Sequence, residues 1–397
     1  MRHVGTVVRG IRTPIIKYGD NLEDIVIDSI MKAKESEGFQ FRDKDVIAIT
    51  EAVVGITEGN YVNLDQIAKD IKNKFENEHV GILFPTPVSR NRFSPFLKGI
   101  ARGCKKLTIQ FAYPGDEVGN KLFPEEYLEK NNVNPYSDVI NEETYLKLFN
   151  DHLHEFTGVN YIEHFREIIE DENCSVCFVF SNNPKTILDY TKNVLVSNIY
   201  ARFKTKKILK ENNADKVFGL DDIMNESVDG SGYNSQYGLL GSNRSTDETL
   251  KLFPITGQVL VENIQNKLKE LTGKTIEVMV YGDGAFKDPV GGIWELADPC
   301  VSPAYTDGLV GTPNELKIKY ISDNKLKDLH GKELEEAMKN EIKSKENDLV
   351  GQMASQGTTP RRYTDLLGSL CDLTSGSGDK GTPVVFIQGY FDSLVND

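Results

Sequence analysis

The chain has 397 residues, of which 39% are hydrophobic and 27% are charged, and its formal net charge is -14. This balance is typical of a soluble globular protein, and the acidic excess argues against a general nucleic-acid binder, which would carry a basic surface. The length favours more than one domain. The N-terminal sequence lacks the apolar core of a signal peptide, and no run reaches the ~18 apolar residues of a membrane span. Five cysteines, an odd number, favour a reducing cytoplasm over a disulfide scaffold.

The N-terminal segment has patterns typical of alternating strands and helices. In chain order the predicted elements are a strand at Val4 to Val8, a helix from Leu22 to about Gly38, a strand at Val46 to Thr50 and a helix at Leu64 to Phe75. Asp20 or Asn21 can cap the first helix, and Gly38 can end it. This segment is predicted to extend over residues 1–78.

The next block contains a dense basic cluster. Six basic residues fall within 17 positions: Arg90, Arg92, Lys98, Arg102, Lys105 and Lys106. In an acidic protein such a cluster favours an anionic ligand, and a solvated helix face explains it equally well. After the strand that follows, Asp116 and Glu117 lie in a turn.

This whole middle block, residues 79–236, predicts an inserted or separate α/β domain. A strand at CFVFSNN is followed by one long helix through Tyr200 and Lys210 and by a strand at KVFGL. Cys174 and Cys177 form a C-x-x-C with no second pair, so we interpret them as cysteines at a strand entry. His152 and His154 are two positions apart and cannot share a helix face, which argues against a metal site.

The last block, residues 237–397, contains two loops whose residues suit a binding site. A strand that ends at Tyr281 leads into Gly282-Asp283-Gly284, and a carboxylate at a strand end fits a divalent metal or phosphate site. The same residues also fit an ordinary turn. Further on, a glycine-containing loop at 375–381 precedes a buried strand at Val384 to Ile387. Neither the P-loop nor the dinucleotide-binding fingerprint is present.

Several of these segments together resemble a known enzyme family. They are RTPIIKYGDNLEDIV and RDKDVIAITEAVVGITEG within residues 12–59, and LLGSNRSTDETLKLFP, LTGKTIEVMVYGDGAFKDP and GTPVVFIQGY toward the C-terminus. They resemble the γ-glutamyl ligases of the deazaflavin coenzyme F-420 over roughly half of the chain, from both ends. The resemblance implies a mixed α/β fold, with a ligase-like part formed by the two ends and an inserted α/β domain between them.

The resemblance also implies an activity and its site. Members of the family use GTP and a divalent metal, Mg²⁺ or Mn²⁺, to join glutamate to a small acid through an acyl phosphate, and they form homodimers. The positions that match the nucleotide-binding residues are Thr13, Pro14, Ile15, Ile16, Thr246, Ser375, Gly376, Ser377, Gly378 and Gly381. The positions that match the metal site are Asp283, Asn243, Gly284 and Glu295.

This chain departs from the family pattern at charged positions. Asn243 stands where the family has an aspartate, and Ala52 and Ile56 stand where it has lysines. The inserted block offers replacements: Arg90, Arg92, Lys98 and Arg102 for phosphate, and Asp116 and Glu117 for metal charge. The reaction needs no nucleophilic side chain, and none is assigned. The accepting acid stays open between the coenzyme precursor and another acid such as a folate-like molecule.

Two other functions fit the same residues. A ligase-derived sensor would bind a nucleotide or a small anion without turning it over. A phosphoryl transferase or hydrolase would use the same metal site on a different substrate.

Overall fold

The structure is a computed structural model of the 397-residue chain. It describes residues 3–76, 79–86, 93–117, 119–122, 124–149, 152–154, 158–282, 302–356, 361–375 and 378–395. Within these ranges, no helix combines the length and the apolar character that crossing a bilayer requires.

The described residues form fourteen strands and twelve α-helices. The strands are β1 (Val7–Ile11), β2 (Val46–Thr50), β3 (Tyr61–Asn63), β4 (His79–Leu83), β5 (Lys106–Phe111), β6 (Ile140–Asn141), β7 (Ser175–Phe180), β8 (Asn193–Val196), β9 (Lys216–Gly219), β10 (Asn243–Arg244), β11 (Thr249–Lys251), β12 (Glu277–Tyr281), β13 (Ala304–Tyr305) and β14 (Val384–Gln388). The helices are α1 (Leu22–Glu37), α2 (Glu51–Glu58), α3 (Leu64–Phe75), α4 (Phe93–Arg102), α5 (Glu125–Lys130), α6 (Glu142–Phe149), α7 (Tyr161–Glu170), α8 (Arg202–Glu211), α9 (Gly257–Thr272), α10 (Ile318–Asn324), α11 (Gly331–Lys343) and α12 (Tyr363–Thr374).

Elements with strong local signals lie where the sequence predicts them. Asn21 caps α1 by accepting a hydrogen bond from the Asp24 backbone N–H, and Gly38 ends the helix with a left-handed φ of 70°. In α3, the side chains of Asn63 and Gln66 cap each other's backbone N–H groups. The ends of both helices are therefore set by residues a few positions apart.

The prediction of one long helix after Phe180 is wrong. The chain forms a short 3₁₀ turn and then β8, a buried strand that pairs in parallel with β4 and β9. Only Arg202–Glu211 are α-helical. The strand is a short apolar run, and periodicity cannot separate such a run from a buried piece of helix.

By its internal contacts the chain divides into two units. The first contains the described residues of 3–57, 256–282 and 302–395. Its sheet has the order β1-β14-β2-β12-β13, in which β2 and β12 run parallel and the other neighbours run antiparallel.

Both faces of the central strand β2 are buried. Ile47 and Ile49 belong to a core shared with α1 and α9, whereas Val46 and Ala48 belong to a core shared with α12. Because successive side chains of a strand point to opposite faces, a strand covered on both sides is apolar at every position. This explains the unbroken apolar run at the start of β2.

The second unit contains the described residues between Glu58 and Ile255. Its main sheet has the order β6-β7-β5-β4-β8-β9, with β6 as the antiparallel edge, and β10, β11 and β3 form a small separate sheet. The described residues of this unit run from Glu58 to Ile255, whereas the sequence predicts an inserted domain over 79–236. The predicted mixed α/β class is confirmed.

Candidate functional site

Two loops of the first unit leave the sheet at the same edge. β1 pairs antiparallel with β14, so Ile11 at the end of β1 lies opposite Val384 at the start of β14. The loop after β1 therefore meets the loop before β14, and the Thr13 backbone N–H donates to the Gly381 carbonyl at 3.2 Å. Two segments predicted to bind a nucleotide are thus brought together in space.

Beside these loops lies a cleft of about 940 Å³, the β1–α1 cleft. Its walls come from β1 and the following loop, from α1, and from residues between Thr374 and Thr382. Thr13 and Pro14 line it. The charged lining consists of four cations and two carboxylates: Arg9, Arg12, Lys32, Lys380, Asp28 and Glu37. In a protein of net charge -14, this local excess of positive charge favours an anion.

The cations of the β1–α1 cleft differ in how they are held. Arg9 donates to Gln388 Oε1 at 2.8 Å, and its guanidinium carbon lies 4.9 Å from the centroid of the Phe39 ring. Arg12, Lys32 and Lys380 are exposed and form no ion pair with any residue that the structure describes. Within the described part of the chain, these three cations have no carboxylate partner to displace before they bind a phosphate or a carboxylate.

The backbone is tightly packed at the base of the cleft. A Cβ at Gly10 would lie 3.1 Å from the Thr382 side chain. Ser375 is buried, and its hydroxyl donates to the Thr382 carbonyl. Ser375 therefore closes its own loop instead of offering its hydroxyl to a ligand. Gly378 and Gly381 are exposed on this loop, whereas Gly376 and Ser377 lie outside the described residues.

The carboxyl ends of β2 and β12, which the predicted metal residue Asp283 follows in the sequence, lie at the same edge of the sheet as the loops after β1 and before β14, because Val384 at the start of β14 is paired with Ile49 near the end of β2. β2 and β12 run parallel, and Tyr281 is paired with Thr50 at their carboxyl ends. Asp283, Gly284 and Glu295 lie outside the described residues. The next residue after β2 is Glu51, which is only 5% exposed and begins α2. Glu51 is not among the predicted metal ligands, although it is an acid directly after a buried strand, as Asp283 is in the sequence.

Two further residues implied by the resemblance, Asn243 and Thr246, belong to the second unit. Asn243 lies in β10 opposite Lys251 of β11. Thr246 is exposed, and its hydroxyl lies 2.6 Å from that of Thr249. The exposed Ile15 and the half-buried Ile16 belong to the first unit. No group of three or more metal-ligating side chains occurs within the described part of the chain.

Two members of the basic cluster, Lys98 and Arg102, are paired with carboxylates. Arg102 Nε donates to Glu172 at 2.8 Å and its Nη1 to Asp65 at 2.7 Å, and Lys98 donates to Glu248 at 2.6 Å. The hydrogen bond to Glu172 raises the pKa of Arg102, and the one from Lys98 lowers the pKa of Glu248. Lys98 and Arg102 therefore stabilise the second unit. Arg90 and Arg92 lie outside the described residues.

The acidic pair proposed to supply the missing metal-binding charge, Asp116 and Glu117, also accepts hydrogen bonds within the chain. Asp116 accepts from the backbone N–H of Asn120 at 2.9 Å. Glu117 accepts from the backbone N–H of Tyr200 at 3.0 Å and from that of Ile199. Burial raises the pKa of Glu117. These contacts account for both carboxylates without a metal.

The C-x-x-C lies at the start of β7, as the strand-entry interpretation predicts. Cys174 is buried and precedes the strand, and burial raises the pKa of its thiol to about 12. Cys177 lies within the strand, with its Sγ 3.1 Å from Thr108 Oγ1. A thiol with a raised pKa is a weak metal ligand and a weak nucleophile.

A family model described as F420-0:Gamma-glutamyl ligase matches residues 10–389 of the chain. The match includes both terminal segments that carry the resemblance, and it runs through the residues of the second unit. A comparison with curated proteins found no match.

Proposed function

Because the chain belongs to the F420-0:gamma-glutamyl ligase family, we propose that it is a GTP-dependent enzyme that joins L-glutamate to a small carboxylic acid. The family forms amide bonds, so the chain is a ligase of the gamma-glutamyl type. The nucleotide, the accepting acid and the chemical route are the parts that we propose.

The observation that carries the proposal is the set of cations around the β1–α1 cleft that form no ion pair with a described residue. Arg12, Lys32 and Lys380 face a volume of about 940 Å³, which is at the upper end of small-molecule sites and large enough for a nucleotide. Phosphate groups suit arginine and lysine because the guanidinium and ammonium groups donate charge-assisted hydrogen bonds. We assign the phosphates of GTP to this cleft.

We propose that the divalent metal binds at the carboxyl ends of β2 and β12. Glu51 supplies a buried carboxylate there, and Asp283 follows β12 in the sequence. Carboxylate oxygens are the ligands that Mg²⁺ and Mn²⁺ prefer, so the donor chemistry fits. A cation held there supplies charge neutralisation for the phosphates when it is bound.

In the proposed reaction, an oxygen of the acceptor carboxylate attacks the γ-phosphorus of GTP, and the bond to the bridging oxygen breaks to release GDP. The amine of glutamate then attacks the acyl carbon, inorganic phosphate leaves, and the amine proton passes to solvent. The cations of the β1–α1 cleft stabilise the negative charge that develops on the phosphates. No side chain of the protein forms a covalent bond in either step.

The experiment is a coupled measurement on the full-length protein. The protein is incubated with GTP, Mn²⁺ or Mg²⁺, L-glutamate and a panel of acids that includes the F-420 precursor and folate-like acids. GDP release matched by a mass gain of one glutamyl residue on one acid supports the proposal. GTP binding without GDP release would indicate a sensor, and phosphate release without any acid would indicate a hydrolase.

We also propose that the enzyme is a cytoplasmic homodimer, as the family resemblance and the cysteine usage imply. Light scattering coupled to size-exclusion chromatography measures the mass in solution. A mass of 44.5 kDa, that of one chain, would contradict the dimer.

A further inference from the structure

The parallel sheet of the second unit reverses its direction of growth beside β4. From β4 the chain adds β5 and then β7 on one side, and it returns to add β8 and then β9 on the other side. The connections after β4 and β8 therefore leave the same edge of the sheet in opposite directions. In open α/β sheets, ligands bind in the crevice outside the carboxyl ends of the strands at such a point.

The structure contains a cavity of about 310 Å³ at this edge, which we call the switch-point crevice. Its lining comes from the segments directly after β4, β5, β7 and β8 and includes Thr86, Asp116, Asn182 and Asn198. Lys204 of α8 lines it as well. All of these residues belong to the second unit, so the crevice is distinct from the β1–α1 cleft.

Asn198 has one side-chain atom without a hydrogen-bond partner among the described residues. Its side chain is 4% exposed, and its Nδ2 donates to Thr205 Oγ1 at 3.3 Å. Its Oδ1 accepts no hydrogen bond from any residue in the described ranges. A buried amide oxygen without a donor is unfavourable, and buried polar groups are paired in the large majority of cases. A ligand in the crevice would supply the missing donor.

Lys204 adds a positive charge to the same lining. It is exposed and forms no ion pair with a described residue, in contrast to Lys206 of the same helix, which donates to Asp221 at 2.8 Å. The carboxylates of Asp116 and Glu117 also line the crevice. The crevice therefore offers an acidic group one cation that has no ion pair among the described residues, and it offers a basic group two nearby carboxylates.

Among the described residues, two backbone N–H groups that a phosphate would use at this edge are already engaged. The Ile199 and Tyr200 N–H groups, which lie just before α8, already donate to the Glu117 carboxylate. A phosphate at the start of a helix uses such N–H groups, so this position is filled by the chain itself. The connection after β4 contains Pro85, which has no N–H to donate.

We propose that the switch-point crevice binds a free α-amino acid. The carboxylate of the amino acid pairs with Lys204, and its ammonium group donates to Asn198 Oδ1. This site does not depend on the ligase activity, and the family resemblance assigns no residue of it.

The test is calorimetry of the full-length protein with each of the common L-amino acids. We expect at least one to bind, and the corresponding 2-oxo acid and the corresponding amine to bind at least about tenfold more weakly, because each lacks one charged group. Lys204→Met is expected to weaken binding by at least about tenfold. Lys210→Met is the matched control, since Lys210 is exposed on the same helix, lies outside the crevice and forms no ion pair with a described residue.

Binding calorimetry of Asn198→Ala is a second test, and thermal unfolding checks that the variant is folded. It is expected to weaken binding of the amino acid and to leave binding of the 2-oxo acid unchanged. Three results would overturn the proposal: no amino acid binds, Lys204→Met behaves as Lys210→Met does, or Lys204→Met weakens GTP binding instead.

Discussion

Replacement of Lys380 by methionine is expected to raise the Kd for GTP about 5- to 30-fold. Lys380 lines the β1–α1 cleft from the loop that precedes β14. It is exposed and forms no ion pair with a residue in the described ranges, so its removal leaves no buried carboxylate without a partner. The substitution should therefore change affinity and leave the stability of the fold unchanged.

The size of the expected change in Kd follows from the solvent exposure of the cationic side chains of the cleft. A phosphate charge about 4 Å from the ammonium interacts by ~1 kcal/mol at the dielectric constant of water and by ~4 kcal/mol at an effective value of 20. Because Arg12, Lys32 and Lys380 are all exposed, the lower part of this range applies. A loss of about 1–2 kcal/mol corresponds to the stated change in Kd.

The assay is calorimetry with GTP and Mg²⁺ at about 0.1 M salt, repeated at about 0.5 M. Lys319→Met is the control, because Lys319 is exposed in the same unit, lies outside the cleft and forms no ion pair with a described residue. Higher salt should reduce the difference in Kd for GTP between wild type and Lys380→Met, since screening weakens the interactions of exposed charges. If GTP binds and the two variants have equal affinity at low salt, the phosphates do not lie in this cleft.

Three further predictions concern stability. Asp70→Ala is expected to lower the free energy of unfolding, measured in urea, by about 3 kcal/mol, because buried Asp70 accepts hydrogen bonds from Lys74 at 2.5 Å and from the Met224 backbone N–H at 2.8 Å. An equal loss for Asp65→Ala, at an exposed position, would contradict this. Gly241→Ala is expected to cost more than Gly230→Ala by about 1–3 kcal/mol. Both glycines have positive φ, but a Cβ at Gly241 would meet the Phe253 ring at 2.6 Å, and a Cβ at Gly230 would meet nothing within 4 Å; equal unfolding midpoints would refute the packing argument. Burial lowers the pKa of His79, so the stability that its neutral form contributes is lost as the pH falls below about 6.5, the pKa of histidine in the unfolded chain. His79→Gln should therefore lose less stability than wild type between about pH 7.5 and 5. If the free energies of unfolding of the two proteins change in parallel over this pH range, His79 is not the group responsible.

The basic cluster shows why charge spacing alone misleads. Lys98 and Arg102 are four positions apart on α4, and the sequence reveals the two cations but not their partners. Glu172 is 70 positions from Arg102, and Glu248 is 150 positions from Lys98. Whether a cation is free or paired depends on which distant carboxylate the fold brings to it. For Lys98 and Arg102, the fold supplies internal ion pairs in place of the anion site or the solvated helix face that the spacing leaves open.

The strand β8 shows the same limit for secondary structure. Its four residues have no local signal that separates a strand from part of a helix. The pairing with β4 and β9 settles the conformation, because both partners supply backbone hydrogen bonds from other parts of the chain.

By itself, the sequence determined the mixed α/β class, the family and the elements with local signals, such as α1 between Asn21 and Gly38. Caps and apolar spacing act between residues a few positions apart, so they can be read along the chain. Only the tertiary structure decided that Arg12, Lys32 and Lys380 line one cleft. The antiparallel pairing of β1 with β14 joins the two ends of the chain, and such long-range hydrogen bonds leave no pattern in either segment alone.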